Sequence, residues 1–325
     1  INSIASSVNS VAVAFHENAK EFDTIIGLIT GVVIAIFVAL VLLGGVKRIG
    51  QVTEKLVPGM AAIYIVCALV VVIANAGAIP GVFASIFQGA FNPSAVVGGA
   101  VGVTMKLAIT KGVGRGVFSN EAGLGSAPIA AAAAHTEEPV RQGLVSMMGT
   151  IIDTLIICTM TGLAIVITDT WNIGLEGVAV TTAAFQRGLP LPDEVCSFIL
   201  MLCLIFFAFT TILGWDYYSE RCLEYLSGRR QGVVKGYRWL YILAVFIGPY
   251  LTVSAVWTIA DIFNGLMAIP NLIGVISLSG TVVAITNNYC ERTFGKQPAD
   301  KKGIKYLLSF FPDIQEEHEQ ALLGQ

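Results

Sequence analysis

Charge is scarce in this chain. Only 13% of its 325 residues are Asp, Glu, Lys or Arg, against roughly 25% in soluble domains, and the deficit excludes an ordinary water-facing surface. Three scattered histidines and a formal net charge of −3 leave no basic face suited to nucleic acid. The six cysteines, Cys67, Cys158, Cys196, Cys203, Cys222 and Cys290, include no short-spaced pair, so neither a zinc site nor a disulfide framework is indicated. Each reads as a small hydrophobe. No nucleotide-binding loop is present, which removes direct coupling to ATP. The chain also lacks a convergent nucleophile, base and metal cluster, so an enzyme is not expected. A channel would call for a repeated filter or ring of carbonyls, and no such repeat is seen.

What remains is apolar. Uncharged runs occupy Thr24–Val46, Leu56–Met105, Val195–Trp215, Trp239–Ala260 and Ile262–Cys290, and Gln142–Thr168 is interrupted only by Asp153. A bilayer-spanning helix needs about 20 apolar residues, and lipid requires each crossing to satisfy its own backbone hydrogen bonds. The chain therefore reads as a polytopic all-α membrane bundle. Helices are expected at about 24–46, 56–76, from near 97, 141–168, 193–222, 238–257 and 261–289. Pro80–Ala90 reads as a short helix at the outer face stopped by Asn92-Pro93, because the residue before proline is pushed toward extended backbone. Asn287 and Asn288 read as a cap on the last helix.

Lys and Arg concentrate in cytoplasmic loops. Lys47, Arg48 and Lys55 fall in the turn after the first long run. Arg221, Arg229, Arg230, Lys235 and Arg238 follow the 193–222 helix, and Arg292, Lys296, Lys301, Lys302 and Lys305 follow the last. The opposite side carries only Lys20 and Arg187. These three basic segments and the C-terminus are thus expected in the cytoplasm, with a transmembrane region over 1–290 and a peripheral tail over 291–325. The opening, Ile1 within a Ser/Asn-rich helix end, reads as the interior of a longer protein.

Three features could carry chemistry. Gly112–Gly125 holds five glycines around Ser119, Asn120 and Glu121. It is either backbone that unwinds within the membrane, as in the broken helices of secondary transporters, or a glycine-rich cytoplasmic loop, which Lys106, Lys111 and Arg115 would suit. Asp153, with Thr154, lies near the middle of its run. An ionisable residue there is either a ligand for a hard cation, which prefers oxygen donors, or a structural aspartate bonded to a neighbouring helix. Thr211 and Trp215 are one turn apart, so they either wall a small zwitterion or simply pack, with the threonine bonded to its own helix.

The run Gly112–His135, GVGRGVFSNEAGLGSAPIAAAAAH, closely resembles the central motif of the alanine or glycine:cation symporter family, also called sodium:alanine symporters. Gly44–Ile49, Gln142–Val145 with Ile152-Asp153-Thr154, and Thr210–Tyr218 resemble further segments of that family, in order. The resemblance implies a leucine-transporter-type fold of two inverted five-helix repeats, here lacking the first two helices and most of the third. It implies sodium-coupled alanine or glycine symport across the inner or plasma membrane, with no organic cofactor. Proton coupling through Asp153 is the alternative. By the same resemblance, Ile1–Phe15 matches the end of the third helix and makes Ile4 a pocket candidate. Phe118, Ser119, Asn120, Thr211 and Trp215 become substrate-facing candidates, and Thr210, Thr211 and Asp153 candidate sodium ligands. The sequence specifies no oligomeric state.

Overall fold

A computed structural model describes residues 1–15, 21–91 and 105–294, all helical or in the links between helices. The helices are α1 (Asn2–Phe15), α2 (Asp23–Leu42), α3 (Gly45–Ala74), α4 (Ile79–Phe91), α5 (Met105–Asn120), α6 (Ala127–Ala131) and α7 (Pro139–Thr150). A π-helical stretch, Ile151–Cys158, joins α7 directly to α8 (Thr159–Ile167); α9 (Val178–Gly188), α10 (Asp193–Leu226), α11 (Gln231–Ile247) and α12 (Val253–Phe294) follow. Among the described residues five segments are long and apolar enough to cross a membrane: Asp23–Leu42, Arg48–Ala74, Pro139–Ile167, Asp193–Leu226 and Ser254–Phe294. Their outward faces carry large apolar side chains such as Ile36, Phe37, Ile73, Leu155, Phe263 and Ile276. Exposure on this scale would promote aggregation in water and is the ordinary state of a lipid-facing helix.

The chain divides into two compact units, one of Ile1–Val113 with Ile156–Ala260, the other of Gly114–Leu155 with the segment from Asp261 onward. In the first unit α10 is shared by two apolar clusters. One joins Ile4 of α1, Ile34, Val38, Val41 and Leu42 of α2, Phe209 and Leu213 of α10, and Val245 of α11. The other joins Ala68 and Val71 of α3, Ala164 of α8, Ala184 and Phe185 of α9, Leu189, and Cys196 and Leu200 of α10. Tyr64 ties α3 to α8 through a 2.5 Å hydrogen bond with Thr161. In the second unit α12 packs beside the α5–α6 break, and its Arg292 makes two hydrogen bonds, 2.7 and 2.9 Å, to the Glu138 carboxylate at the start of α7.

Several expected boundaries move, some of them because a charged residue does not end a helix that extends into water. Lys47, Arg48 and Lys55 lie inside α3 rather than in a turn. At 30 residues, α3 is about 45 Å long and exceeds the ~30 Å hydrocarbon layer. Likewise Arg221, Lys235 and Arg238 are helical, leaving only Ser227–Arg230 between α10 and α11. Helix α11 ends at Ile247, not 257, because Gly248-Pro249 starts a 3₁₀ turn where proline has no N–H to continue the ladder. Asp261 sits within α12, ion-paired to Arg115 at 3.4 Å. Asn287 and Asn288 do not cap that helix, since it continues to Phe294 and Asn288 accepts a 2.9 Å bond from Arg292. Helix α9 was not expected at all, being short and ending in a cation, Arg187. The expected start near 97, the Asn92-Pro93 stop and the tail beyond 294 lie outside the described residues.

Candidate functional site

The glycine-rich run resolves into a helix and then a break. Gly112, Gly114 and Gly116 are helical within α5, and the backbone leaves the helix only at Glu121. Glu121, Gly123 and Gly125 have φ of 51°, 77° and 82°, the left-handed region that glycine enters freely and other residues only with strain. Ala122 N–H donates to the Val117 carbonyl at 3.1 Å and Glu121 N–H to Phe118 at 3.4 Å, the paired bonds of a Schellman ending. Glu121 therefore stands where glycine is usual. Its carboxylate accepts a 2.7 Å bond from the buried Ser126 hydroxyl across the break, at the start of α6. A β-carbon on Gly125 would stand 2.8 Å from Asn271 Oδ1, so α12 presses directly on the unwound segment.

This ending leaves the last-turn carbonyls of Ser119 and Asn120 outside the intrahelical ladder, and the two side chains meet the π-helical stretch. Ser119 Oγ donates to Asp153 Oδ2 at 2.5 Å, and Thr154 Oγ1 donates to Asn120 Oδ1 at 2.9 Å. Asn120 Nδ2 in turn donates to the Gly116 carbonyl at 3.1 Å. Consecutive residues on one segment are thus matched to consecutive residues on the other. Isolated π turns inside helices are frequent at functional sites. The result is a cluster of carboxylate, hydroxyl, amide and backbone oxygens, the donor set that suits a hard cation. Phe118, half-buried, precedes it on α5.

The remaining candidates belong to the first unit. Thr210 is buried and donates to the Phe206 and Phe207 carbonyls at 2.9 and 3.0 Å; Thr211 is exposed and donates to Phe207 at 2.8 Å. Both hydroxyls keep their lone pairs available as acceptors, but adjacent helix positions aim them in different directions. Trp215 is half-buried and meets the Tyr218 ring edge-on at 5.7 Å. Ile4 is fully enclosed in the first apolar cluster. A cleft of about 440 Å³ nearby in that unit is lined instead by polar groups including Asn2, Ser6, Asn9, Asp23 and Thr24. Sequence reasoning passed over Asp216 and Glu220, both buried on α10, and took Arg238 only as a loop cation, whereas it lies on α11 and forks onto Glu220. The signal available was two carboxylates four apart at the end of an apolar run.

Five apolar spans among the described residues, with a helix broken at three left-handed residues and an oxygen cluster beside the break, define a polytopic α-helical membrane protein. Residues 2–302 match the sodium:alanine symporter family, and the chain belongs to it. It is 48% identical over 268 residues to the sodium/alanine symporter AgcS of Methanococcus maripaludis, covering 81% of this chain and 57% of that protein. It is 50% identical over 266 residues to an uncharacterized transporter of Haemophilus influenzae, covering 82% and 58%. With the probable sodium/glutamine symporter GlnT of Bacillus subtilis it shares 37% over 305 residues, 93% of this chain and 61% of that one. The chain thus spans a little under two thirds of the length of these relatives.

Proposed function

We propose that this chain forms part of a carrier that imports alanine or glycine together with sodium by alternating access. The observation that carries the reading is the matched pair of contacts, Ser119 with Asp153 and Asn120 with Thr154, at the end of a broken helix in a member of a sodium symporter family. Such helix ends hold ions and substrate in secondary transporters. In this reading Asp153 is a sodium ligand, Thr210 and Thr211 contribute to ion binding, and Phe118, Ser119, Asn120, Thr211, Trp215 and Ile4 border the amino acid. The relatives' names include both alanine and glutamine symporters, and the alanine or glycine choice follows the resemblance of Gly112–His135.

The helix order supports a leucine-transporter-type arrangement. In it α1 is the third helix, α2 and α3 the fourth and fifth, α5 and α6 the broken sixth, α7 with α8 the seventh, and α10 to α12 the eighth to tenth. The basic segments near Arg48, Arg229 and Arg292 then face the cytoplasm, with 1–290 as the membrane region and 291–325 as a cytoplasmic tail. Sodium favours the outward-facing, substrate-competent state only through its differential affinity for the two states.

The test is labelled-alanine accumulation in proteoliposomes holding the complete carrier, with sodium replaced by choline and, separately, with the pH gradient collapsed. Asp153→Asn is expected to raise the sodium concentration for half-maximal uptake about tenfold, equivalent to about 1.4 kcal/mol. Wild-type sodium dependence in that variant would remove Asp153 from the ion site. Uptake indifferent to sodium but lost with the pH gradient would establish proton coupling instead.

A further inference from the structure

A second polar group lies between α10 and α11 and is used by none of the roles above. Arg238 donates from Nε to Glu220 Oε1 at 2.6 Å and from its terminal nitrogen to Oε2 at 2.9 Å. This is the side-on, two-bond geometry of a strong charge pair, and Glu220 is buried within it. One turn earlier on the same face of α10, Asp216 is 0% exposed, and neither of its carboxyl oxygens has a hydrogen-bond partner. The charges acting on it are Glu220 from its own helix and Arg238 from α11. Tyr237 and Tyr241 of α11 also face it, but the Tyr241 hydroxyl donates to the Ile212 carbonyl at 2.8 Å instead. Helices α1, α2, α3 and α9, which also pack on α10, add no charged group to those acting on Asp216 among the described residues.

The charge count does not close. With both carboxylates ionised the group holds two negative charges against one guanidinium, whose two short hydrogen bonds go to Glu220 and which makes none to Asp216. An ionised carboxylate without a donor or counter-charge is among the most costly arrangements in a protein interior, and two neighbouring acids relieve it by retaining one proton between them. Glu220 has the guanidinium, so the proton belongs on Asp216. Asp216 also lies 23 residues past Asp193, the first residue of α10, which is about 35 Å along the axis and therefore near the edge of a hydrocarbon layer about 30 Å thick. Exchange with water there requires only a small separation of the two helices.

We propose that Asp216 is a proton-binding site, held as the neutral acid while α10 and α11 are packed together and ionising when that contact opens to water. The proton comes from bulk solvent and returns to it, and no other bond changes. The consequence is a proton-dependent term in the packing of α10 on α11 that is independent of the sodium and amino-acid roles proposed above.

The test uses the purified complete carrier in lipid, read by infrared spectroscopy for the carbonyl stretch of a neutral, poorly hydrated carboxylic acid at neutral pH. The band is expected in the wild type and lost in Asp216→Asn, whose thermal midpoint should match the wild type because a neutral amide replaces a neutral acid of the same shape. Glu220→Gln provides a second route that keeps Asp216 in place. It frees Arg238 to pair with Asp216, and the same band should vanish. Absence of the band from the wild type, or its persistence in either variant, overturns the proposal. So does a sodium-specific thermal stabilisation, measured against choline, that Asp216→Asn abolishes, because Asp216 would then be a cation ligand.

Discussion

The two compact units are held together by different forces. In the first, α10 is enclosed by two apolar clusters whose members, Ile4, Leu213, Ala184 and Phe185 among them, are fully buried. In the second, the described residues bury only Leu124, Ser126 and Ile285, and the contacts that join its elements are polar: Glu121 to Ser126, Ser119 to Asp153, Asn120 to Thr154, Arg292 to Glu138. Between lipid-exposed helices there is no hydrophobic drive, since lipid tails are as apolar as leucine, so packing and interhelical hydrogen bonds decide association. A unit built on close-packed side chains resists change. One built on a few polar contacts around unwound backbone can have two arrangements of similar energy, which is what a moving part of a carrier requires.

The comparison can be broken most directly in the first unit. Phe185, fully buried against the Tyr64 ring at a centroid distance of 5.5 Å, lies on α9, which is not a membrane span. Phe185→Ala is expected to cost about 3–5 kcal/mol, whereas Leu266→Ala on an exposed face of α12 should change stability by about 0.5 kcal/mol or less. Thermal unfolding of both variants in the same detergent decides it. Equal losses would mean that the two units do not differ in what holds them.

Gly125 sharpens the view of the second unit. A side chain there meets both the left-handed backbone and Asn271, so Gly125→Ala should cost about 1–3 kcal/mol. Adding Asn271→Ala removes the Oδ1 and Cγ contacts but keeps the Cβ at 3.1 Å, so it should restore most of the steric part and leave the backbone part. Full recovery in the double variant, read by the same unfolding measurement, would show that the φ of 82° carries no strain.

A smaller effect than that of Gly125→Ala is expected for the pair at the start of α7. The Arg292 hydrogen bonds hold the Glu138 carboxyl below its ordinary range, against a smaller opposing effect of burial. A carboxylate lowered in this way stabilises the fold fully above its unfolded value and loses that contribution as pH falls through its folded value. Arg292→Gln should therefore lower stability by about 1 kcal/mol at neutral pH, with the difference from wild type disappearing in acid. A pH series of unfolding midpoints tests this, and a difference independent of pH would mean that Arg292 acts through packing alone.

The long spans were legible because an uncharged run of twenty or more residues has few alternatives in a bilayer. Their ends were less so. Lys47, Arg48 and Asp261 looked like boundaries, yet helices continue through them because their charged ends extend past the lipid or find partners such as Arg115. Helix α9 escaped because its 11 residues are too few to register as a span. Among the candidate residues, Ser119, Asn120 and Asp153 were identifiable as polar groups in apolar surroundings. Their pairing was not, since the partners stand 34 residues apart and local periodicity says nothing about such a distance.

Asp216 shows the limit most clearly. In the chain it is only the first charge after an apolar run, and nothing there marks it as buried. Composition and order alone determined that this is a helical membrane protein, because desolvating charge and unpaired backbone is so costly that few arrangements survive; they marked Gly112–Gly125 as a break or a loop without deciding between them, and the family motif was read from its resemblance. Which polar groups face each other was decided only by tertiary structure. The cost of a buried charge depends on the partner across from it, and the Arg238 guanidinium bonds to Glu220 and not to Asp216.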